Sequence, residues 1–200
     1  MTFLDEIQTD ALKELINIGV GNGAEVLNQM FDSHIELNVP DIHILKPSEV
    51  SSYLIKEEIE DLSVINMMFH GDFSGSSKLI FPKASAVKLV NFYTGDLQDS
   101  DLNFDAIRVS TLTELGNIVL NAVMGAISNT LQVNFDYIVP NFSEGTLRSI
   151  FMQELKKTQI IIIAETTFLI KDMDIKGNII LFLELNTLTS LLSHIENIYQ

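Results

Sequence analysis

The chain runs through one sequence of hydrophobic rhythms and then repeats it. From Phe3 to Phe31 apolar residues recur at helical spacing, with Leu4, Ile7, Ala11, Leu15 and Ile18 in step and Thr2 placed to cap the start, which predicts one long helix. Residues 34–45, HIELNVPDIHIL, alternate around Pro40 and predict a short strand, whereas residues 46–62 are polar and poorly periodic. SVINMMFHGDFSGSSKLIFP then reads as two strands joined by a turn containing Gly71, Asp72 and Gly75, with Pro82 closing the second. ASAVKLVNFY returns to helical spacing, and the acidic TGDLQDSDLN after it predicts a solvated loop and an internal boundary. In the second half, a long helix is predicted over 104–131, a strand over VNFDYIVP, a β-rich stretch over 158–185 and a closing helix over NTLTSLLSHIENIY.

The repetition extends to single residues. Glu14, Leu15, Asn17, Ile18, Val39 and Pro40 match Glu114, Leu115, Asn117, Ile118, Val139 and Pro140 at a constant offset, and Leu79 and Leu89 match Leu181 and Leu191 after a two-residue slip. A duplicated unit of helix, strands and helix follows, with repeats of about 1–98 and 101–200. Two copies are too few for a solenoid. The expected architecture is therefore one α+β domain over residues 1–200, internally duplicated about a pseudo-two-fold, with two long helices packed on a largely antiparallel β-sheet.

Composition narrows the partners. The 200 residues are 46% hydrophobic and 20% charged, which is enough apolar content for a substantial core. A net charge of −15 disfavours nucleic acid and anionic membranes, both of which need a cationic face, and leaves a protein as the expected partner. The longest apolar run, TQIIIIAETTFLI, is broken by Glu165 and too short to span a bilayer. The acidic N-terminus lacks a signal-peptide layout, so a cytoplasmic location is expected. Zero cysteines exclude disulfides, thiol nucleophiles and thiolate metal sites. His34, His43, His70 and His194 show no ligand spacing, so no metal site is expected. The seven methionines read as core filling, and the glycosylation-like NFS at Asn141 has no role in a cytoplasmic chain.

Gly19, Gly21 and Gly23 invite comparison with a phosphate-binding loop, but such a loop needs a strand before it, and here four turns of helical pattern precede it. Glycine inside a helix costs about 1 kcal/mol relative to alanine, so three of them imply close packing or the close approach of a partner. At about 100° per residue, Asp10, Glu14, Asn17 and Gly21 share one stripe of the first helix, and Ser110, Glu114, Asn117 and Asn121 share one stripe of the second. Taken singly, such a stripe is the ordinary wet face of a helix. Repetition of the acid, the carboxamide and the distant proline, where most other solvent positions differ, points to a site.

The signature formed by Asp or Ser, three residues, Glu, two residues, Asn, twenty-two residues and Pro resembles that of the CheC-type phosphatases of bacterial chemotaxis, a family that includes the CheX and FliY proteins. It is met by Asp10, Glu14, Asn17 and Pro40 and again by Ser110, Glu114, Asn117 and Pro140. The duplicated layout without an added domain is similar to the CheC branch. The resemblance implies hydrolysis of the aspartyl phosphate on a response-regulator receiver domain of the CheY type. By the same resemblance, Asn17 and Asn117 position the attacking water and Glu14 and Glu114 pair with a receiver lysine. Asp10, Gly21, Ser110 and Asn121 are weaker candidates for substrate contact. No cofactor of the chain's own is implied; magnesium would be the receiver's. Gly21 would let a partner come close to the first helix where the bulkier Asn121 would not, so the first copy is expected to be the more active. Two alternatives stay open. One is a non-catalytic adaptor for a receiver, the deamidase CheD or the flagellar switch, and the other is a duplicated domain whose stripes bind nothing.

Overall fold

A computed structural model describes residues 6–49, 61–95, 104–146, 148–150, 159–170, 173–184 and 193. Helix α1 (Glu6–Phe31) leads into strand β1 (Ile35–Leu45), followed by β2 (Leu62–Gly71), β3 (Gly75–Pro82) and helix α2 (Lys83–Thr94). The second half supplies α3 (Phe104–Leu131), β4 (Phe135–Tyr137), β5 (Asn141–Gly145), β6 (Gln159–Ile170) and β7 (Met173–Glu184). The strands form one antiparallel sheet in the order β1-β6-β7-β3-β2-β4, with β5 also on β2. The fold is α+β, as the pattern predicts.

Each repeat lends its first strand to the other. β1 pairs with β6, and β4 and β5 pair with β2, so both edges of the sheet are built across the duplication. The centre is the β3–β7 pair, where Leu79 lies opposite Ile179 and Ser77 opposite Leu181. Because Leu79 and Leu181 correspond between repeats, this reciprocal pairing places the pseudo-two-fold at the middle of the sheet.

The helices cover one face. Leu12, Leu15, Ile16 and Leu27 of α1 and Leu112, Leu115 and Val119 of α3 join Ile65, Met67, Leu79, Ile162 and Leu181 in the main core. Burying each such side chain contributes roughly 1.5–3 kcal/mol. The run Ile160–Ile163 is apolar without alternation because both faces of β6 are covered: Ile160 and Ile162 enter the main core, while Ile161 and Ile163 join Val64, Ile80 and Phe182 on the opposite face.

The glycine run resolves by facing. A Cβ on Gly19 would lie 2.4 Å from Val123 Cα, and one on Gly23 would meet Val119 and Ala122 of α3 at 3.4–3.9 Å. These two positions, one helical turn apart, let α1 and α3 approach closely. Gly21 is exposed, with nothing near its missing side chain.

One predicted strand differs. Only Phe135–Tyr137 of VNFDYIVP is strand, the residues from Ile138 to Pro140 are irregular, and Asn141–Gly145 resumes pairing as β5, which the pattern did not predict. The break is the counterpart of a bulge in β1. There Asn38 pairs with Thr167 and Asp41 with Glu165, so one residue is extra at Val39–Pro40. In the second repeat Tyr137 pairs with Phe69 and Asn141 with Asn66, and again one residue is extra. Proline cannot donate to a ladder, so both strands bulge where it falls. The predicted closing helix lies outside the described residues except for Ser193, which is helical, and the acidic loop lies outside them beyond Gly95.

Candidate functional site

Each long helix lays its signature stripe beside the bulge of its own repeat, yet the two arrangements differ. On α1, Asp10, Glu14 and Gly21 are exposed and Asn17 is half-buried. The Asn17 side chain turns toward β1: Nδ2 donates to the Val39 carbonyl at 3.1 Å and the Lys13 carbonyl at 3.2 Å, and Oδ1 accepts from the Val39 N–H at 2.8 Å. Lys13 Nζ donates to the Pro40 carbonyl. The bulge leaves Val39 without a strand partner, and the carboxamide replaces it, because an amide side chain offers the same donor and acceptor as a peptide. This gives the recurrent spacing from Asn to Pro a structural reason in the first copy.

On α3 the carboxamide is held along the helix instead. Asn121 Nδ2 donates to Asn117 Oδ1 at 2.7 Å and to the Asn117 carbonyl at 2.8 Å. The Oδ1 of Asn117 is thereby tied back, and among the described residues its Nδ2 meets no acceptor. Thr113, which stands where Lys13 does in the first repeat, spends its hydroxyl on the Val109 carbonyl at 2.7 Å. The bulge beside it is not gripped: Val139 is 84% exposed, whereas Val39 is 2% exposed.

The open arrangement makes a groove of about 260 Å³, lined by Glu114, Asn117 and Asn121 from α3 and by Tyr137, Ile138, Val139 and Pro140 from the edge of the sheet. A second depression, of about 400 Å³, adjoins it at Thr113 and Glu114 and is lined also by Ser110, Met30 and Tyr93. Thus Glu114, Asn117 and Asn121 line the groove, and Ser110 and Glu114 line the depression beside it. Partial burial pushes the Tyr137 phenol up from its ordinary value, so it is a neutral hydroxyl at physiological pH. The apolar wall from Tyr137 to Val139 was not singled out from the sequence; the only signal for it was the run of large side chains before Pro140.

An ion cluster fastens the far end of this edge. Arg108 of α3 donates to Glu144 of β5 and, at 3.1 Å, to Asp105, and Lys83 lies 3.6 Å from Glu144. The hydrogen bond from Arg108 is the main cause that holds the Glu144 carboxyl below its usual range. Elsewhere His34 pairs with Glu36 at 3.1 Å and His43 with Glu165 at 3.0 Å. Among the described residues no three His, Asp or Glu side chains gather to hold a metal, and no helix is long and apolar enough to cross a membrane.

The model of the CheC-like family matches residues 7–44, which contain the whole first signature from Asp10 to Pro40. CheY-P phosphatase CheC of Bacillus subtilis is 29% identical over 142 residues, 70% of this chain and 68% of that protein. The flagellar motor switch phosphatase FliY of the same organism is 22% identical over 138 residues, 68% of this chain but only 35% of FliY. Among solved structures, Thermotoga maritima FliY superposes with a TM-score of 0.78 at 16% identity, covering 98% of this chain and all of that one. CheX in the CheX-CheY-BeF3-Mg complex of Borrelia burgdorferi superposes at 0.57 with 20% identity, covering 86% and 99%.

Proposed function

We propose that this chain, a protein of the CheC type, hydrolyses the aspartyl phosphate of a CheY-like receiver domain in chemotaxis signalling. The observation that carries this reading is the Asn117 carboxamide, which lines a groove beside the exposed Glu114 and whose Nδ2 meets no acceptor among the described residues. Water attacks phosphorus, the P–O bond to the aspartyl carboxylate breaks, and inorganic phosphate leaves. Phosphoryl transfer of this kind asks mainly for positioning and charge neutralisation, and an amide can hold a water in line without acting as a base.

In this reading Asn117 and Asn17 position the water, and Glu114 and Glu14 pair with a cation on the receiver. Ser110, Asn121, Asp10 and Gly21 border those contacts. The larger share of activity falls to the second copy, because Asn17 is engaged with Val39 while Asn117 is not. The exposed Gly21 still lets a partner approach α1, but the amide beside it is already satisfied.

The divalent ion belongs to the receiver, in keeping with the CheX relative, whose complex holds CheY with beryllofluoride and magnesium. When bound there, it neutralises charge on the phosphoryl group. Binding of CheD is a separate proposal, tested by titrating the two proteins against each other. The catalytic reading is tested by the decay of a labelled phospho-receiver with magnesium present. Faster decay on adding the chain supports it; binding without faster decay would turn it into the adaptor reading.

A further inference from the structure

The two repeats hold the same carboxamide in two different states, and the residues that differ around it are few. In the first repeat the helix offers Lys13 and Gly21, and Asn17 is closed on Val39. In the second, the corresponding residues are Thr113 and Asn121, and Asn117 is held open. Gly21 has no side chain to compete for the amide oxygen, so that oxygen is left to accept the Val39 N–H. Asn121 has one, placed a single turn along the helix, and it donates to Asn117 Oδ1.

We propose that Asn121 is a positioning residue: by occupying Asn117 Oδ1 it keeps the carboxamide from closing on the main chain of Val139, and aims its Nδ2 into the groove. Resting on the phosphatase reading, this assigns the difference between the two sites to a pair of helix positions rather than to the signature they share. Thr113 contributes by omission, because it supplies no cation to draw the Pro140 carbonyl toward the helix as Lys13 does at Pro40. The exposure of Val139 is then the mark of an unclosed latch. Closing it would give the Val139 N–H and carbonyl the partners that their counterparts have, and would withdraw the Asn117 amide from the groove.

The test makes the second repeat match the first. In Asn121→Gly combined with Thr113→Lys, amide hydrogen exchange measured by NMR should slow by at least tenfold at the Val139 N–H and at the Asn117 side-chain amide. Receiver dephosphorylation should fall by about tenfold or more. Asn121→Gln, which keeps a donor, should preserve the open state; Asn121→Asp, which keeps the size but accepts instead of donating, should not. The reciprocal variant, Gly21→Asn with Lys13→Thr, should release the Asn17 amide and speed exchange at Val39; because Gly21 faces open space, this variant keeps the packing intact. Unchanged exchange at Val139 and Asn117 would overturn the proposal, as would a loss of activity with exchange unmoved. A chain that accelerates no receiver would defeat the phosphatase reading, and the exchange rates would still decide the role of Asn121.

Discussion

Asn17 holds the main chain of Val39 at both its polar groups, donating to the carbonyl at 3.1 Å and accepting from the N–H at 2.8 Å. One side chain thus completes the strand ladder at the place where Pro40 interrupts it. The corresponding residue of the second repeat, Asn117, makes neither contact, although both signatures read alike.

Removing the amide should therefore separate stability from activity. Asn17→Ala leaves the Val39 N–H and carbonyl without partners, and should cost about 1–3 kcal/mol. Asn117→Ala breaks no such ladder and should cost under about 0.5 kcal/mol, as surface changes usually do. Urea unfolding of the two variants, compared at equal slope, reads the difference directly.

Two of the three glycines, Gly19 and Gly21, should respond in opposite directions. Gly19→Ala drives a methyl into the Val123 backbone, and should destabilise by about 1–3 kcal/mol, as overpacking does. Gly21→Ala meets nothing and should raise stability by up to about 1 kcal/mol through helix propensity. Thermal melts of both variants check the pair.

Acidification should weaken the anchor of β5. Glu144 has its folded-state carboxyl lowered, chiefly by the hydrogen bond from Arg108 and against the effect of burial. Its contribution is therefore fully present above the unfolded carboxylate value and is lost as pH falls through the folded one. The stability gap between the native chain and Glu144→Gln should be clear at pH 7 and shrink steadily below about pH 4, the ordinary range of such a group. A gap that widens on acidification would contradict this assignment.

Much of the fold was legible because duplication doubled each weak signal. The helices ending at Phe31 and Leu131, the paired strands before and after the Gly71 turn, and the two signatures all follow from spacing alone. What the spacing did not reveal was which way each element would be used. Gly19 and Gly23 serve the contact between α1 and α3 while Gly21 does not, and helix facing separates them only once the partner helix is known. The break after Tyr137 was hidden because Val39 and Val139 have the same local sequence, Val-Pro, and differ through Lys13, Thr113, Gly21 and Asn121, which are distant in the chain. The first signature accordingly looked the more accessible on account of Gly21, although its amide is the one already engaged.

The most direct test of the account is the decay rate of a phosphorylated CheY-like receiver with the native chain, with Asn17→Ala, with Asn117→Ala and with both. The native chain should accelerate decay, Asn117→Ala should lose most of that acceleration, Asn17→Ala a smaller part, and the double variant should return the receiver to its intrinsic rate. Full acceleration by the double variant would contradict the assignment of catalysis to these carboxamides.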